Sequence, residues 1–256
     1  LFFAFEQTRF ELVSKSLARM SQPEGALYES NPTAIKIRNG RITPELREAM
    51  QKYKELAGHY AIIECDFTYD VRIIIETVEA YIKQYGVKPV VFVDYLQLVK
   101  STNRKLIAAK DIVDDVIQKL KQLQKQNELL MFVVSSLNRQ NYLTTIDFEA
   151  FKESGAIEYT ADVIIGLQLA VMGNPIFENS RTSLIKKREI VKAAKRESPR
   201  RIELCVLKNR YGISNMTFYF NYYSKWDLFT PATVKDMIEA NEDLLSSVKG
   251  DDDIDG

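Results

Sequence analysis

Apolar residues fall in short, nearly unbroken runs along this chain, at 1–5, 61–65, 90–95, 129–135, 163–167 and 202–207. Runs of that length match β-strands, and several are continuous rather than alternating, as strands buried on both faces of a parallel sheet are. Between them the period lengthens. Residues 104–127 carry Leu106, Ile107, Ile112, Val113, Val116, Ile117, Leu120 and Leu123 at three- and four-residue spacing, opposite a face of Lys and Gln. That stripe predicts a helix packed on a core. Residues 70–85 repeat it with Val71, Ile74, Ile75, Val78, Tyr81 and Ile82, and Gly86 supplies the stop. Alternating strand and helix predict an α/β fold around a doubly wound, mostly parallel sheet.

After residue 200 the texture changes. Residues 201–207 and 216–223 are rich in β-branched and aromatic side chains around Tyr211-Gly212, which predicts an antiparallel hairpin. A helix is expected over 232–247. Asp251-Asp252-Asp253-Ile254-Asp255 makes an acidic tail expected to be disordered. No repeat or low-complexity linker divides the chain.

Composition narrows the chemistry. With 256 residues, 46% hydrophobic and 27% charged, the chain suits one large globular domain. No apolar run reaches the roughly eighteen residues of a membrane-spanning helix. Lys+Arg and Asp+Glu each number 35, so any attraction for a polyanion must be local. Cys65 and Cys205 stand far apart and read as buried, reduced thiols of a cytoplasmic protein. The single histidine, His59 beside Gly58, leaves little for imidazole metal sites or Ser-His-Asp catalysis. The chain opens at Leu1, and Leu1-Phe2-Phe3-Ala4-Phe5 lacks the basic front of a signal peptide, so it reads as a fragment starting inside a buried strand.

Polar residues at the ends of the apolar runs are the candidates for chemistry. Val90-Val91-Phe92-Val93 ends in Asp94, and ligands of open α/β sheets gather at such carboxyl ends. A carboxylate there holds a nucleotide's magnesium or simply caps a turn; the residues leave both open. Glu6 follows a second run and is placed either to activate a water or at a solvated helix start. Ser136, after a third run, suits a phosphate contact or a plain turn. The stretch Lys152-Glu153-Ser154-Gly155 offers a lysine and a flexible backbone to nucleic-acid phosphates, or is an ordinary loop. Lys208 and Arg210 flank a turn where they neutralise phosphoryl charge or face solvent at a sheet edge. Residues 186–201 hold eight Lys/Arg against Glu189 and Glu197, and Lys192, Lys195 and Arg196 are read as contacts to a nucleic-acid backbone.

The order of these segments is more specific than any one of them. Phe3-Ala4-Phe5-Glu6, Val91-Phe92-Val93-Asp94-Tyr95-Leu96-Gln97-Leu98, Ser135-Ser136-Leu137-Asn138-Arg139, Lys152-Glu153-Ser154-Gly155-Ala156-Ile157-Glu158 through Ala161-Asp162-Val163-Ile164, and Lys208-Asn209-Arg210-Tyr211-Gly212 follow one another along the chain. In that succession the sequence resembles the motor domain of DnaB-type hexameric replicative helicases. The resemblance covers about residues 1–230, with 231–256 left as a terminal helix and tail. It implies a RecA-like P-loop NTPase core, ATP and Mg2+ as cofactors, single-stranded DNA as partner, a homo-hexameric ring, and a primase or helicase loader as further partners. By the same resemblance Glu6 activates water, Asp94 binds magnesium, Lys152, Glu153 and Gly155 grip DNA, and Lys208 and Arg210 reach the ATP site of the next subunit.

Some positions depart from the family pattern. Ser136 stands where Gln is usual in the sensor of the terminal phosphate, and a hydroxyl reaches less far. Asn209 and Tyr211 replace the commoner Gln and Asn. The basic segment before Arg201 is longer and more charged than usual, as in a mobile-element or phage-like relative. No Gly-x-x-x-x-Gly-Lys-Ser/Thr loop occurs, and it is expected to precede Leu1. Two other readings stay open: a recombinase-like ATPase, or a DNA-binding or assembly module without catalysis.

Overall fold

The computed structural model describes residues 1–138, 142–151, 155–179 and 181–249. The described residues of Leu1–Ser136 and Glu153–Thr160 form one compact unit, and those of Leu137–Lys152 and Ala161–Gly256 a second.

In the first unit, β1 (Phe2–Ala4) lies between β2 (Ile62–Glu64) and β3 (Val91–Asp94), with β4 (Met131–Val133) beyond β3, all parallel. Phe3, Val91 and Val93 point to one face and are wholly buried there. They share a core with Val71, Ile74 and Val78 of α4 (Val71–Tyr85) and Val116, Leu120 and Leu123 of α5 (Ala109–Asn127). Helix α4 keeps its expected ends. Asp70 accepts the Arg72 amide at its start, and Gly86 closes it at φ 66°, a left-handed conformation that a Cβ would strain.

Helix α5 starts later than the expected 104. Ser101 Oγ accepts the Asn103 amide and Asn103 Oδ1 the Lys105 amide, turning the chain before the helix. Leu106 therefore falls outside the helix, and Ile107 is 91% exposed.

On the other face of the sheet, the alternate positions Phe2, Phe92 and Phe132 stack across three strands, with ring centroids 6.0 and 4.8 Å apart. Between β1 and β2 come α1 (Arg9–Met20), α2 (Ala34–Arg38) and α3 (Pro44–Ala57), which the apolar pattern did not place. Their starts are set by Thr8, Thr33 and Thr43, each accepting a backbone amide of the first turn, and Thr8 forms a reciprocal capping box with Glu11.

The second unit is built on an antiparallel sheet of β5 (Val163–Leu169), β6 (Arg200–Asn209), β7 (Met216–Tyr223) and β8 (Leu228–Ala232), in that order. The expected hairpin is β6–β7. Strand β5 is apolar on most positions yet alternates in burial, with Ile164, Gly166 and Gln168 covered and Val163, Ile165 and Leu167 exposed. Gln168 and Glu203 are buried together, the amide donating to the carboxylate at 2.7 Å. Helix α7 (Leu184–Arg196) and the terminal α8 (Val234–Lys249) supply Ile190, Val191, Ala194 and Leu244 to a core that includes Val171 and Phe177. Both cysteines are unpaired; Cys65 is buried as expected, whereas Cys205 is only partly covered. The acidic tail at 251–255 lies outside the described residues. Among those residues no helix is long and apolar enough to cross a membrane.

Candidate functional site

Parallel pairing aligns the strand tips of the first unit. Ala4 sits level with Asp94 on one side and Glu64 on the other, and the Phe5 amide donates to the Asp94 carbonyl at 2.8 Å. Asp94 follows Phe92 by two residues, so its side chain belongs to the face of the phenylalanine stack, away from the helix-covered core. Burial lifts its pKa above the ordinary aspartate value, the Glu6 charge lifts it further, and Lys15 pulls the other way. Glu6 and Asp94 therefore feel one another beside the strand ends. Lys15 reaches Gln7 Oε1 at 3.3 Å.

Two carboxylates with so little compensation suit a divalent cation. Magnesium is held through one or two carboxylates together with phosphate oxygens and water. No cluster of three or more His, Cys, Asp or Glu suited to a metal exists among the described residues. The Glu6–Asp94 pair thus suits a metal that arrives with a phosphate-bearing ligand.

Glu64, at the tip of β2, carries the same strand-end signal as Asp94, and sequence reasoning passed over it. It accepts the Arg9 amide, while Arg9 Nη2 donates to the Ile62 carbonyl at 2.9 Å. Glu64 is thereby committed to fixing the start of α1.

Ser136 is exposed just beyond β4. Gln97, in the turn after β3, holds this segment from the side: its Nε2 donates to Ser135 Oγ at 2.8 Å and its Oε1 accepts the Ser136 amide at 3.1 Å. No sequence signal pointed to Gln97 as a clasp. Gly155 opens the short helix α6 (Gly155–Thr160), exposed, while Ala156 and Ile157 pack on the core. Lys152 and Glu153 lie outside the described residues.

In the second unit, Lys208 ends β6 with Asn209, and Arg210 follows. The Arg210 amide donates to the Asp162 carbonyl at 2.9 Å, and its guanidinium Nη1 to Asp162 Oδ1 at 2.6 Å. Asn209 shapes the turn, accepting the Tyr211 amide and donating to the Ile213 carbonyl. A Cβ at Gly212 would stand 2.8 Å from Asn209 Nδ2, so a side chain there would have to push that amide aside. Lys192, Lys195 and Arg196 are all exposed on α7.

The family model of the DnaB-like helicase C-terminal domain matches residues 1–230. Among solved structures the chain is similar to the ATPase domain of the protein G40P, with a TM-score of 0.66 and 17% identity over 91% of this chain and 74% of that one. It is also similar to a DnaB-like replicative helicase whose structure was solved with its interactions with primase, at a TM-score of 0.66 and 16% identity over 91% of this chain and 50% of that one. The chain thus spans half the length of the second. At these identities the two structures speak for the fold alone: a RecA-like α/β domain with a parallel sheet and a separate antiparallel one. Among curated protein sequences none matches the chain.

Proposed function

The chain belongs to the DnaB-like helicase C-terminal domain family, and from that premise we propose that it is the motor of an ATP-driven helicase moving along single-stranded DNA. The observation that carries the proposal is the pairing of Glu6 with a half-buried Asp94 beside adjacent strand ends. Asp94 would hold the magnesium that accompanies the nucleotide's phosphates, and that ion, when bound, would supply charge stabilisation to the transferring phosphoryl group. Glu6 orients the attacking water and takes its proton on a carboxylate oxygen as the water–phosphorus bond forms and the bond from the terminal phosphorus to the bridging oxygen breaks, releasing ADP.

Coupling is assigned to residues of both units. Ser136, held by Gln97, follows the terminal phosphate. Lys208 and Arg210 contribute positive charge to the nucleotide of a neighbouring subunit in a hexameric ring. The Asp162 pair does not stand in the way, because a half-exposed ion pair is worth only about 0–1 kcal/mol and exchanges readily. Lys152, Glu153 and Gly155 hold the DNA strand, and Lys192, Lys195 and Arg196 add contacts to its phosphates. Primase or a loader and a cytoplasmic setting belong to the same reading.

The test is the ATPase rate of the full-length gene product with and without single-stranded DNA, beside its Glu6→Gln variant. Stimulation by the strand, lost in the variant while ATP stays bound, is the expected result. Turnover that ignores both the strand and the substitution removes the motor reading. Residues 1–256 contain no Gly-x-x-x-x-Gly-Lys-Ser/Thr segment, so this polypeptide alone serves as the nucleotide-binding control.

A further inference from the structure

Helix α7 carries Arg188, Lys192, Lys195 and Arg196 at spacings of four, three and one, which set all four along one side of the helix. All are exposed, whereas Ile190, Val191 and Ala194 face inward. Together with Tyr142, Leu143 and Val191 they line a shallow groove, with no acidic side chain among its described lining residues. None of the four has an ion-pair partner among the described residues.

Arg188 with Lys192, and Lys192 with Arg196, are like charges one turn apart, and such pairs destabilise, while Glu189, exposed three residues before Lys192, offsets only part of that repulsion. Lys195 and Arg196 sit in the last turn, where the helix dipole favours cations. Arg188 and Lys192 lie too far from the end for that explanation. A bound polyanion relieves the repulsion of all four.

The groove also has an aromatic wall. Leu143 packs against the buried cluster containing Phe177 and Ile190, and the preceding Tyr142 is left 53% exposed beside the cations. A phenol ring open to solvent next to phosphate-binding charge is a platform for a nucleobase. Bases in a duplex are already stacked on their neighbours, so such a platform favours an unpaired strand.

We infer that the α7 groove is a binding site for single-stranded nucleic acid, with the backbone along Arg188, Lys192, Lys195 and Arg196 and one base stacked on Tyr142. The inference rests on the proposed function only in taking the strand to be DNA. Its residues take no part in the ATP chemistry, and it deepens the role given to Lys192, Lys195 and Arg196.

The experiment is fluorescence anisotropy of the 256-residue chain with labelled oligothymidylate and with a duplex of equal length, without nucleotide. The expected result is tighter binding of the single strand. Tyr142→Ala weakens that binding about tenfold or more and leaves the duplex unchanged, while Tyr142→Phe restores it. Lys192→Ala with Arg196→Ala lowers the slope of log affinity against log salt by about 1.4, or roughly 0.7 for each phosphate no longer neutralised. Oligothymidylate affinity unmoved by Tyr142→Ala overturns the proposal, as does an equal loss on strand and duplex. So does polyglutamate competing as well as oligothymidylate, which assigns the groove to an acidic protein. If Lys152→Ala alone abolishes binding, the groove fails and the motor reading stands. If the groove variants act as expected but the full-length ATPase ignores DNA, the motor reading falls and the groove stands.

Discussion

Arg210 is fastened to Asp162 twice, amide to carbonyl at 2.9 Å and guanidinium to carboxylate at 2.6 Å. The residue assigned to a neighbour's nucleotide is thus held ready at the mouth of the β5–β6 pair, with half of its side chain still open to solvent. The two roles predict different variants. Arg210→Ala in the full-length protein is expected to lower DNA-stimulated hydrolysis by about 10³–10⁵ while nucleotide binding stays within a few-fold. Its effect on folding should stay under about 1 kcal/mol, as for other half-exposed pairs. Unchanged turnover with a large drop in melting temperature makes the pair a strut and ends the finger assignment.

Gly166 tests the packing of the second unit. A Cβ there would lie 2.5 Å from Ile146 Cδ1 and 3.0 Å from its Cγ1, and Ile146 is itself buried. Gly166→Ala should cost about 1–3 kcal/mol, the usual range for overpacking. Ile146→Val removes the nearest atom, so the double variant should recover part of that loss in a denaturant titration. Strictly additive losses mean that the two sites do not touch.

Legibility in the sequence followed the strength of local signals. Strands β1 to β4 were visible because a parallel sheet demands unbroken apolar runs, and α4 because its stripe is framed by Asp70 and Gly86. The start of α5 was misread because Leu106 and Ile107 keep helical spacing while Asn103 turns the backbone away. Helices α1 to α3 announce themselves through threonine caps more than through apolar stripes. Strand β8 contains Pro231, which argues against a strand; it is tolerated because β8 pairs only with β7, at the sheet edge. Within the site, Glu6 and Asp94 could be read from strand ends. Gln97 could not, since its role depends on where β4 finishes, nor could the Asp162–Arg210 pair, which exists only once β5 lies antiparallel to β6.

Gln97 makes its own prediction. It receives the Ser136 amide at 3.1 Å and donates to Ser135 Oγ at 2.8 Å, bracing the end of β4 from the turn after β3. Gln97→Ala leaves that amide without its acceptor, at a cost of about 1 kcal/mol. Hydrogen exchange at Ser136 should quicken by roughly fivefold, the same energy expressed as an opening equilibrium, while Val91 and Val93 keep their protection. Exchange unchanged at Ser136 means that the clasp does not form in solution.

The carboxylate pair is best tested through pH. Burial first, and the Glu6 charge second, raise Asp94 above the ordinary aspartate value near about 3.9. The folded protein then holds that proton more tightly than the unfolded chain, so ionising Asp94 costs folding free energy. Its favourable contribution is complete below the unfolded value and is lost as pH rises through the raised folded one. Asp94→Asn, which cannot ionise, should therefore melt higher than the parent chain at pH 7, and the advantage should vanish at pH 3. Glu6→Gln should move the Asp94 midpoint down in a carboxyl-carbon NMR titration, yet not to the ordinary value, because burial remains. In the full-length protein the same variant should slow hydrolysis by about 10²–10⁴, the usual worth of a positioned base. An Asp94 midpoint indifferent to Glu6 would mean that the two acids do not share a site, and the assignment of metal and water to this pair would go with it.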